Sequence, residues 1–128
     1  MEYKRDIKQR TFEFSLAVIG LLEDLPRTYI YQILGKQLLR SATSIGANVI
    51  EAQAGSSLKD FMNFYFIGLK SANETIYWLK LVKAKSNNLI VNRINDLLNE
   101  SIEISKILGA SLVTMRRKTQ SKNLKGKG

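Results

Sequence analysis

Apolar side chains recur every three or four positions along most of the chain, a spacing that predicts α-helices rather than strands. The first such stretch spans residues 4–24 and carries two apolar lines instead of one, so this helix is expected to bury more than one side. The same spacing predicts a second helix over residues 29–54, a third over residues 58–85 and a fourth that ends near Lys118.

Short breaks separate the predicted helices. Pro26 is the single proline of the chain and ends the first helix, and Thr28 follows in a position to cap the second. Gly55 suits the left-handed position that closes a helix, and Ser57 with Asp60 three residues later forms a capping pair for the third helix. A Ser-Asn-Asn run ends the third helix. Because the breaks are short, consecutive helices must be neighbours in space.

These elements predict an all-α domain, an antiparallel up-down-up-down four-helix bundle. A chain of 128 residues is long enough for one core. We assign residues 1–118 to the bundle and residues 119–128 to a basic tail. The tail has almost no apolar side chain to offset the entropy lost on ordering, so it is expected to be disordered when free.

The third predicted helix carries more apolar surface than one bundle face can bury, because the run FMNFYFIGL points in almost all directions. Its side chains form one line that faces the core and a second that an adjacent subunit would cover. The first line is Phe61, Phe64 and Tyr65, and the second is Met62, Phe66 and Leu69. Aromatic rings near cations can also stack on nucleic-acid bases, but core and subunit contacts explain this spacing better. The sequence therefore predicts a homo-oligomer.

Positive charge is concentrated at one end of the predicted bundle. The formal net charge is +9, and residues 116–128 contain six basic residues and no acidic one. In an antiparallel bundle the basic start of the first helix lies at the same end. We call this end the basic pole, and its residues are Lys4, Arg5, Lys8, Arg10, Arg116, Arg117, Lys118, Lys122, Lys125 and Lys127.

A cationic pole of this kind suits the phosphates of a nucleic acid. It predicts binding through backbone contacts without base recognition, with RNA as the leading partner. Two alternatives stay open: the tail only keeps the protein in solution, or the bundle is a scaffold that binds a protein partner through its helical surface.

A polar stripe runs along the second helix within RSATSIGANVIEAQ. Arg40, Ser44, Asn48 and Glu51 share one face, among small residues rather than the long Lys and Glu stems of a solvated face. The stripe is an active site, a ligand site or a buried polar seam between helices. The seam is favoured, with Ser71 and Glu74 of the third helix completing it, because buried charges need partners. A binding site at the stripe stays open, with Arg40 the residue to test.

The sequence argues against an enzyme. It contains no His and no Cys, so acid–base or nucleophilic chemistry near neutral pH would need a perturbed carboxylate or lysine. Metal pairs in helical bundles use Glu-x-x-His motifs, which this chain lacks. We therefore expect no catalytic residue, no metal and no cofactor.

Targeting signals are not evident. The longest clean apolar run, residues 16–22, has seven residues, whereas a membrane span requires about 20. The first ten residues are charged rather than apolar, and cysteine is absent. These features predict a cytoplasmic protein that neither spans nor binds a membrane.

The segment RSATSIGANVIEA, followed by SSLKDFMNFYFIGLKSANE, resembles the signature of a family of small four-helix-bundle proteins encoded in intervening sequences of bacterial large-subunit ribosomal RNA genes. That signature reads R-x-A-x-S-I-x-x-N-I-x-E-G, then S-x-x-E-F-x-x-F, then S-x-x-E. The matching positions are Arg40, Ala42, Ser44, Ile45, Asn48, Glu51, Ser57, Phe61, Phe64, Ser71 and Glu74, with Val49 and Asp60 as near equivalents. Gly46, Ala52 and Gly55 depart from it, standing where the family often has a proline, a glycine and a basic residue.

This resemblance implies a bacterial protein without established enzymatic activity. The family is similar in turn to the accessory variability determinant proteins of diversity-generating retroelements, which are basic pentamers that bind nucleic acid and a reverse transcriptase. By resemblance, the chain is expected to form a ring-shaped homo-oligomer, a pentamer. The alternative function then becomes a scaffold or adaptor that binds a protein partner such as a reverse transcriptase through its helical surface.

Overall fold

The computed structural model describes the backbone of residues 6–126 and the side chains of residues 6–122. Its four helices are α1 (Ile7–Glu23), α2 (Tyr29–Ala54), α3 (Leu58–Lys85) and α4 (Asn88–Gly126). Consecutive helices pack on each other, most extensively α2 on α3 and α3 on α4, and α1 also packs on α4. The predicted all-α four-helix bundle is therefore confirmed.

The ends of α2 and α3 lie where the sequence predicts them, and side-chain caps explain why. The Thr28 hydroxyl accepts a hydrogen bond from the Tyr31 amide at 3.4 Å at the start of α2. At the start of α3, the Ser57 hydroxyl accepts from the Asp60 amide at 3.1 Å. Each cap satisfies one of the amides that have no partner inside their own helix.

The first helix begins three residues later than predicted. Its N-cap is Asp6, whose carboxylate accepts from the Gln9 amide at 2.8 Å. Asp is among the best N-cap residues, and it stands directly before the first apolar position, Ile7. Lys4 and Arg5 lie outside the described residues.

Gly55 closes α2 in an extended conformation, with φ −66° and ψ 147°, so the predicted left-handed closing position is wrong. Space explains the glycine instead. A Cβ atom here would lie 3.2 Å from the Ala52 carbonyl oxygen and 3.3 Å from Asp60 Cβ. A larger residue would therefore require these neighbours to move by a few tenths of an ångström.

The last helix continues to Gly126, beyond the predicted end at Lys118. That predicted end is wrong, and no break in the helix marks the proposed boundary between residues 118 and 119. No proline or glycine lies between Gly109 and Gly126, and the segment is rich in the good helix formers Arg, Lys and Gln. Extending an existing helix also avoids the cost of nucleation, and cations near a helix C-terminus interact favourably with the helix dipole.

The apolar stripes of all four helices meet in one core. Val18, Leu38, Leu79 and Ile104 have no exposed surface and represent the four helices there. In the aromatic run of α3, Tyr65 is buried, and Phe61 and Phe64 are half-buried against the core. The predicted core-facing line is therefore confirmed.

Large apolar side chains also remain on the outside of the single chain. Phe12 and Leu16 of α1 are 63% and 52% exposed, and Phe66 of α3 is 48% exposed. A monomer leaves this apolar surface in water. Of the predicted second line of α3, only Phe66 is exposed; Met62 and Leu69 are half-buried against the core, so their assignment to a subunit contact is wrong. None of the described helices is both long enough and apolar enough to cross a membrane.

Candidate nucleic-acid interface

The C-terminal part of α4 projects beyond the core of the bundle. Met115 is the last buried residue of α4 among the described side chains, and it lines the same groove as Phe61, near the start of α3. The antiparallel direction of the two helices then carries α4 past the first turn of α3. We call residues 116–126 the α4 extension.

The α4 extension is strongly cationic. Arg116, Arg117, Lys118 and Lys122 are all exposed. The sequence contains no acidic residue after Glu103, so no carboxylate on the extension itself offsets this charge. The side chain of Lys125 and the whole of Lys127 lie outside the described residues.

The two described cations of α1 behave differently from each other. Lys8 is exposed, as a phosphate contact requires. Arg10 instead forms a two-point ion pair with Glu100 of α4, with Nε to Oε2 at 2.8 Å and Nη2 to Oε1 at 2.7 Å. The hydrogen bond with Glu100 raises the pKa of Arg10. Sequence reasoning missed this pairing, which gives the Arg10 guanidinium a partner within the chain.

Between α2 and α3, part of the predicted polar seam is present. The hydroxyls of Ser44 and Ser71 are hydrogen-bonded at 2.9 Å, and the Asn48 amide donates to the Ser44 carbonyl oxygen at 2.8 Å. All three residues are half-buried. The Ser44–Ser71 hydrogen bond crosses between α2 and α3, as predicted, whereas the Asn48 hydrogen bond lies within α2.

The charged members of the predicted seam lie nearer the surface. Arg40 pairs with Glu74, but the side chains of Arg40 and Glu74 are 58% and 39% exposed. Glu51 is exposed on the last turns of α2. The prediction that Arg40 and Glu51 are buried is therefore wrong for the single chain, because the Arg40–Glu74 pair lies at the solvent-facing edge of the α2–α3 contact and Glu51 faces solvent.

Glu74 has a further partner that sequence reasoning missed. The Trp78 indole Nε1 donates to Glu74 Oε2 at 2.8 Å, one helical turn along α3. The hydrogen bond from Trp78, followed by that from Arg40, lowers the pKa of Glu74. The spacing of four residues between an acid and a tryptophan on one helix could have indicated this contact.

A deeper polar pair accompanies the seam and was also missed. Ser41 and Thr75 are fully buried or nearly so, and their hydroxyls are hydrogen-bonded at 2.9 Å. Ser41 also donates to the Leu38 carbonyl oxygen at 3.2 Å. Their partners satisfy both hydroxyls, which gives the α2–α3 contact a structural role.

Across the described residues, no group of three or more acidic, His or Cys side chains is arranged to hold a metal ion. The arrangement therefore consists of satisfied polar pairs between helices and unneutralised cations on the α4 extension. Of the two, the cations are the feature that can contact an anionic partner.

Comparison with known proteins identifies the family. The sequence profile described as "23S rRNA-intervening sequence protein" matches residues 3–110. A crystal structure from Bacteroides thetaiotaomicron, described as a protein of unknown function from the S23 ribosomal protein family, is 36% identical. It superposes with a TM-score of 0.75, over 84% of this chain and 98% of that one. No curated protein sequence matches the chain. Because the profile covers most of the sequence, the chain belongs to the 23S rRNA-intervening sequence protein family.

Proposed function

We propose that this protein is a non-enzymatic, homo-oligomeric helical bundle that binds RNA through backbone contacts at its basic pole. The observation that carries the proposal is the α4 extension, a helix that leaves the core with exposed cations and no acidic residue of its own. Phosphates are the recurrent anions of a nucleic acid, and cations on a projecting helix can reach them without strict orientation.

The ion pair of Arg10 narrows the set of phosphate contacts. Glu100 neutralises the Arg10 guanidinium, so Arg10 contributes less to the field around the pole than the exposed cations do. Among the described side chains, the proposed contacts are therefore Lys8, Arg116, Arg117, Lys118 and Lys122. Binding of this kind depends on charge and discriminates weakly between sequences.

Composition supports a binding role rather than catalysis. The chain has no His and no Cys to titrate near neutral pH. We accordingly assign no catalytic residue and no cofactor, and we place the protein in the cytoplasm with its RNA partner.

Self-association would strengthen the proposed contacts. Phe12, Leu16 and Phe66 expose apolar surface that a second copy can cover. We infer a ring of subunits, a pentamer by similarity to the accessory variability determinant proteins. Several α4 extensions would then share one RNA strand, and weak individual contacts would gain from multivalency.

The test is RNA binding by the full chain and by a chain ending at Met115, each measured over a series of salt concentrations. The proposal expects binding that weakens steeply with salt for the full chain, and a much weaker dependence for the truncated chain. Equal binding and equal salt dependence of the two proteins would contradict it.

The exposed apolar face of α1 supports a second candidate function, a scaffold or adaptor for a protein partner such as a reverse transcriptase. Phe12 and Leu16 lie one turn apart on this face. A scaffold of this type predicts that partner affinity survives removal of the α4 extension and falls when Leu16 is replaced by lysine.

A further inference from the structure

An open groove lies between α3 and α4 at the basic pole. Its volume is about 500 Å³, and it is lined mainly by Phe61, Tyr65, Ile107, Ser111, Thr114 and Met115. The Phe61 and Tyr65 rings contact each other, with centroids 4.5 Å apart. The groove therefore has an aromatic wall from α3 and a mixed apolar and hydroxyl wall from α4.

Among the described residues, α1 does not cover this groove. Glu100 of α4 faces α1, because it pairs with Arg10 in the first turns of that helix. Ile107 lies two turns further along the same side of α4. The antiparallel α1 begins at Ile7, so its described residues end before they reach the level of the groove.

Two lysines follow the groove residues on the same side of α4. Ile107, Ser111 and Thr114 are spaced by four and three residues, and Lys118 and Lys122 follow at intervals of four. Residues three or four apart lie above one another on a helix. Lys118 and Lys122 are exposed. One side of α4 therefore carries the groove wall and, one and two turns further along, two exposed cations.

We propose that the groove accepts an unpaired base of single-stranded RNA while Lys118 and Lys122 contact the adjoining phosphates. The inference rests on the proposed function and deepens it, because it adds a base-binding pocket to contacts that would otherwise involve the backbone alone. Single-strand binding sites commonly combine a cationic track with an aromatic surface on which bases stack, without strong sequence preference.

Charge favours RNA over the other molecules that could fill an apolar groove. A second copy of this chain has a net charge of +9 and therefore offers Lys118 and Lys122 less opposite charge than an RNA strand does. An RNA strand instead presents its phosphates beside its bases. The Ser111 and Thr114 hydroxyls at the groove wall can also hydrogen-bond to base edges.

The test compares two RNA probes with the same phosphates, a 12-nucleotide oligouridylate and its abasic counterpart. Ala110 also lines the groove and is exposed, so Ala110→Leu fills space there without adding charge or an aromatic ring. Phe61→Leu removes the aromatic ring but keeps an apolar side chain. Ala84→Leu places the same leucine on an exposed site in the last turn of α3 and is the matched control.

Wild-type protein and Ala84→Leu are expected to bind the base-bearing strand at least roughly fivefold more tightly than the abasic strand, the lower bound for stacking of one base. Ala110→Leu and Phe61→Leu should lower this ratio towards one and leave abasic affinity unchanged. Circular dichroism and light scattering confirm that each variant keeps its helix content and mass.

Three results would overturn the inference, and the first two concern the ratio of the two affinities. One is a ratio near one for the wild type, and the other is a wild-type ratio that Ala110→Leu leaves intact. A change in mass for Ala110→Leu would assign the groove to a second copy of the chain and would also overturn it. If the inference alone fails, both strands still bind with steep salt dependence, whereas failure of the proposed function abolishes salt-dependent binding of both strands.

Discussion

Arg10 and Glu100 join the first turns of α1 to the first third of α4 through two parallel hydrogen bonds of 2.8 and 2.7 Å. Both side chains are 25% exposed, so water screens the pair less than it screens a surface ion pair. At the far end of α1, Arg93 pairs with Asp24 at 2.7 Å. The two pairs link α1 to α4 near both ends of α1.

The first prediction follows from the Arg10–Glu100 pair. Arg10→Ala should lower the free energy of unfolding by about 1–3 kcal/mol, because it removes a two-point, charge-assisted hydrogen bond to a partly buried carboxylate. Urea denaturation followed by circular dichroism measures the change. Arg117→Ala removes an exposed arginine of the α4 extension and should change stability by less than about 0.5 kcal/mol. Similar losses for the two variants would contradict a structural role of Arg10.

Acid stability should depend on Trp78. The pKa of Glu74 is lowered, mainly by the hydrogen bond from the Trp78 indole. A carboxyl group with a lowered pKa in the folded protein adds stability above its unfolded pKa, and this stability is lost as pH falls through the folded pKa. The relevant window therefore begins near pH 5 and extends downward. Trp78→Phe removes the donor and should flatten this part of the stability profile.

Urea unfolding at several pH values from 6 to 3 measures the effect of Trp78→Phe. Tyr77→Phe is the control, because Tyr77 is an exposed neighbouring aromatic on α3 that does not donate to Glu74. The expected result is a smaller loss of stability on acidification for Trp78→Phe than for the control. An unchanged slope would remove Trp78 as the main cause of the lowered pKa.

Gly109→Ala should stabilise the bundle. Gly109 lies within α4, and a Cβ atom there would meet no other atom within 4 Å. Alanine favours the helix over glycine by about 0.5–1 kcal/mol. Thermal unfolding should therefore show a higher Tm. Gly46→Ala is the matched comparison and should gain less, because its Cβ would lie 3.3 Å from the Thr11 hydroxyl. An equal gain at both sites would mean that this close approach has no energetic effect.

The salt dependence of RNA affinity should report how many cations of the α4 extension contact phosphates. For single-stranded RNA, the slope of log affinity against log salt is about −0.7 for each phosphate neutralised. If all six basic residues after Met115 engage, their share of the slope is about −4. Lys118→Gln combined with Lys122→Gln should make the slope shallower by about 1.4. Lys80→Gln with Lys83→Gln, at exposed sites near the end of α3, should leave the slope unchanged if the basic pole is the binding site.

The oligomer should depend on the exposed face of α1. Leu16 is 52% exposed, so Leu16→Lys leaves the core of one chain intact and places a charge in the proposed subunit contact. Light scattering should show a mass several times that of one chain for the wild type and a lower mass for the variant. Glu23→Lys adds a charge at an exposed position near the end of α1 and should keep the wild-type mass. A wild-type mass equal to one chain would refute the oligomer.

The positions of α2 and α3 could be read from the sequence because their signals are local. Thr28 and Ser57 cap the helix that follows them, and apolar periodicity marks the face that each helix buries. The unequal placement of charge was equally evident, since no acidic residue follows Glu103. In these cases, the feature depends only on a residue and its near neighbours in the sequence, so it can be predicted without the tertiary structure.

The end of α4 lies beyond its predicted position near Lys118. The prediction treated the basic segment as a free chain rather than as part of an existing helix. Composition indicated a disordered tail, because a free segment of this kind cannot offset its ordering entropy. The segment is instead the continuation of a helix that already exists, so it adds residues without a new nucleus. The same residues therefore have different preferences alone and at the end of α4.

By itself, the sequence determined four helices, their approximate limits, the family and the concentration of positive charge at one end. The tertiary structure decided which charges remain unpaired and where the surface opens. Arg10 meets Glu100 across 90 residues of sequence, and the groove beside Phe61 is formed jointly by residues of α3 and α4. These relationships depend on the lengths and offsets of packed helices, which periodicity within one helix does not specify.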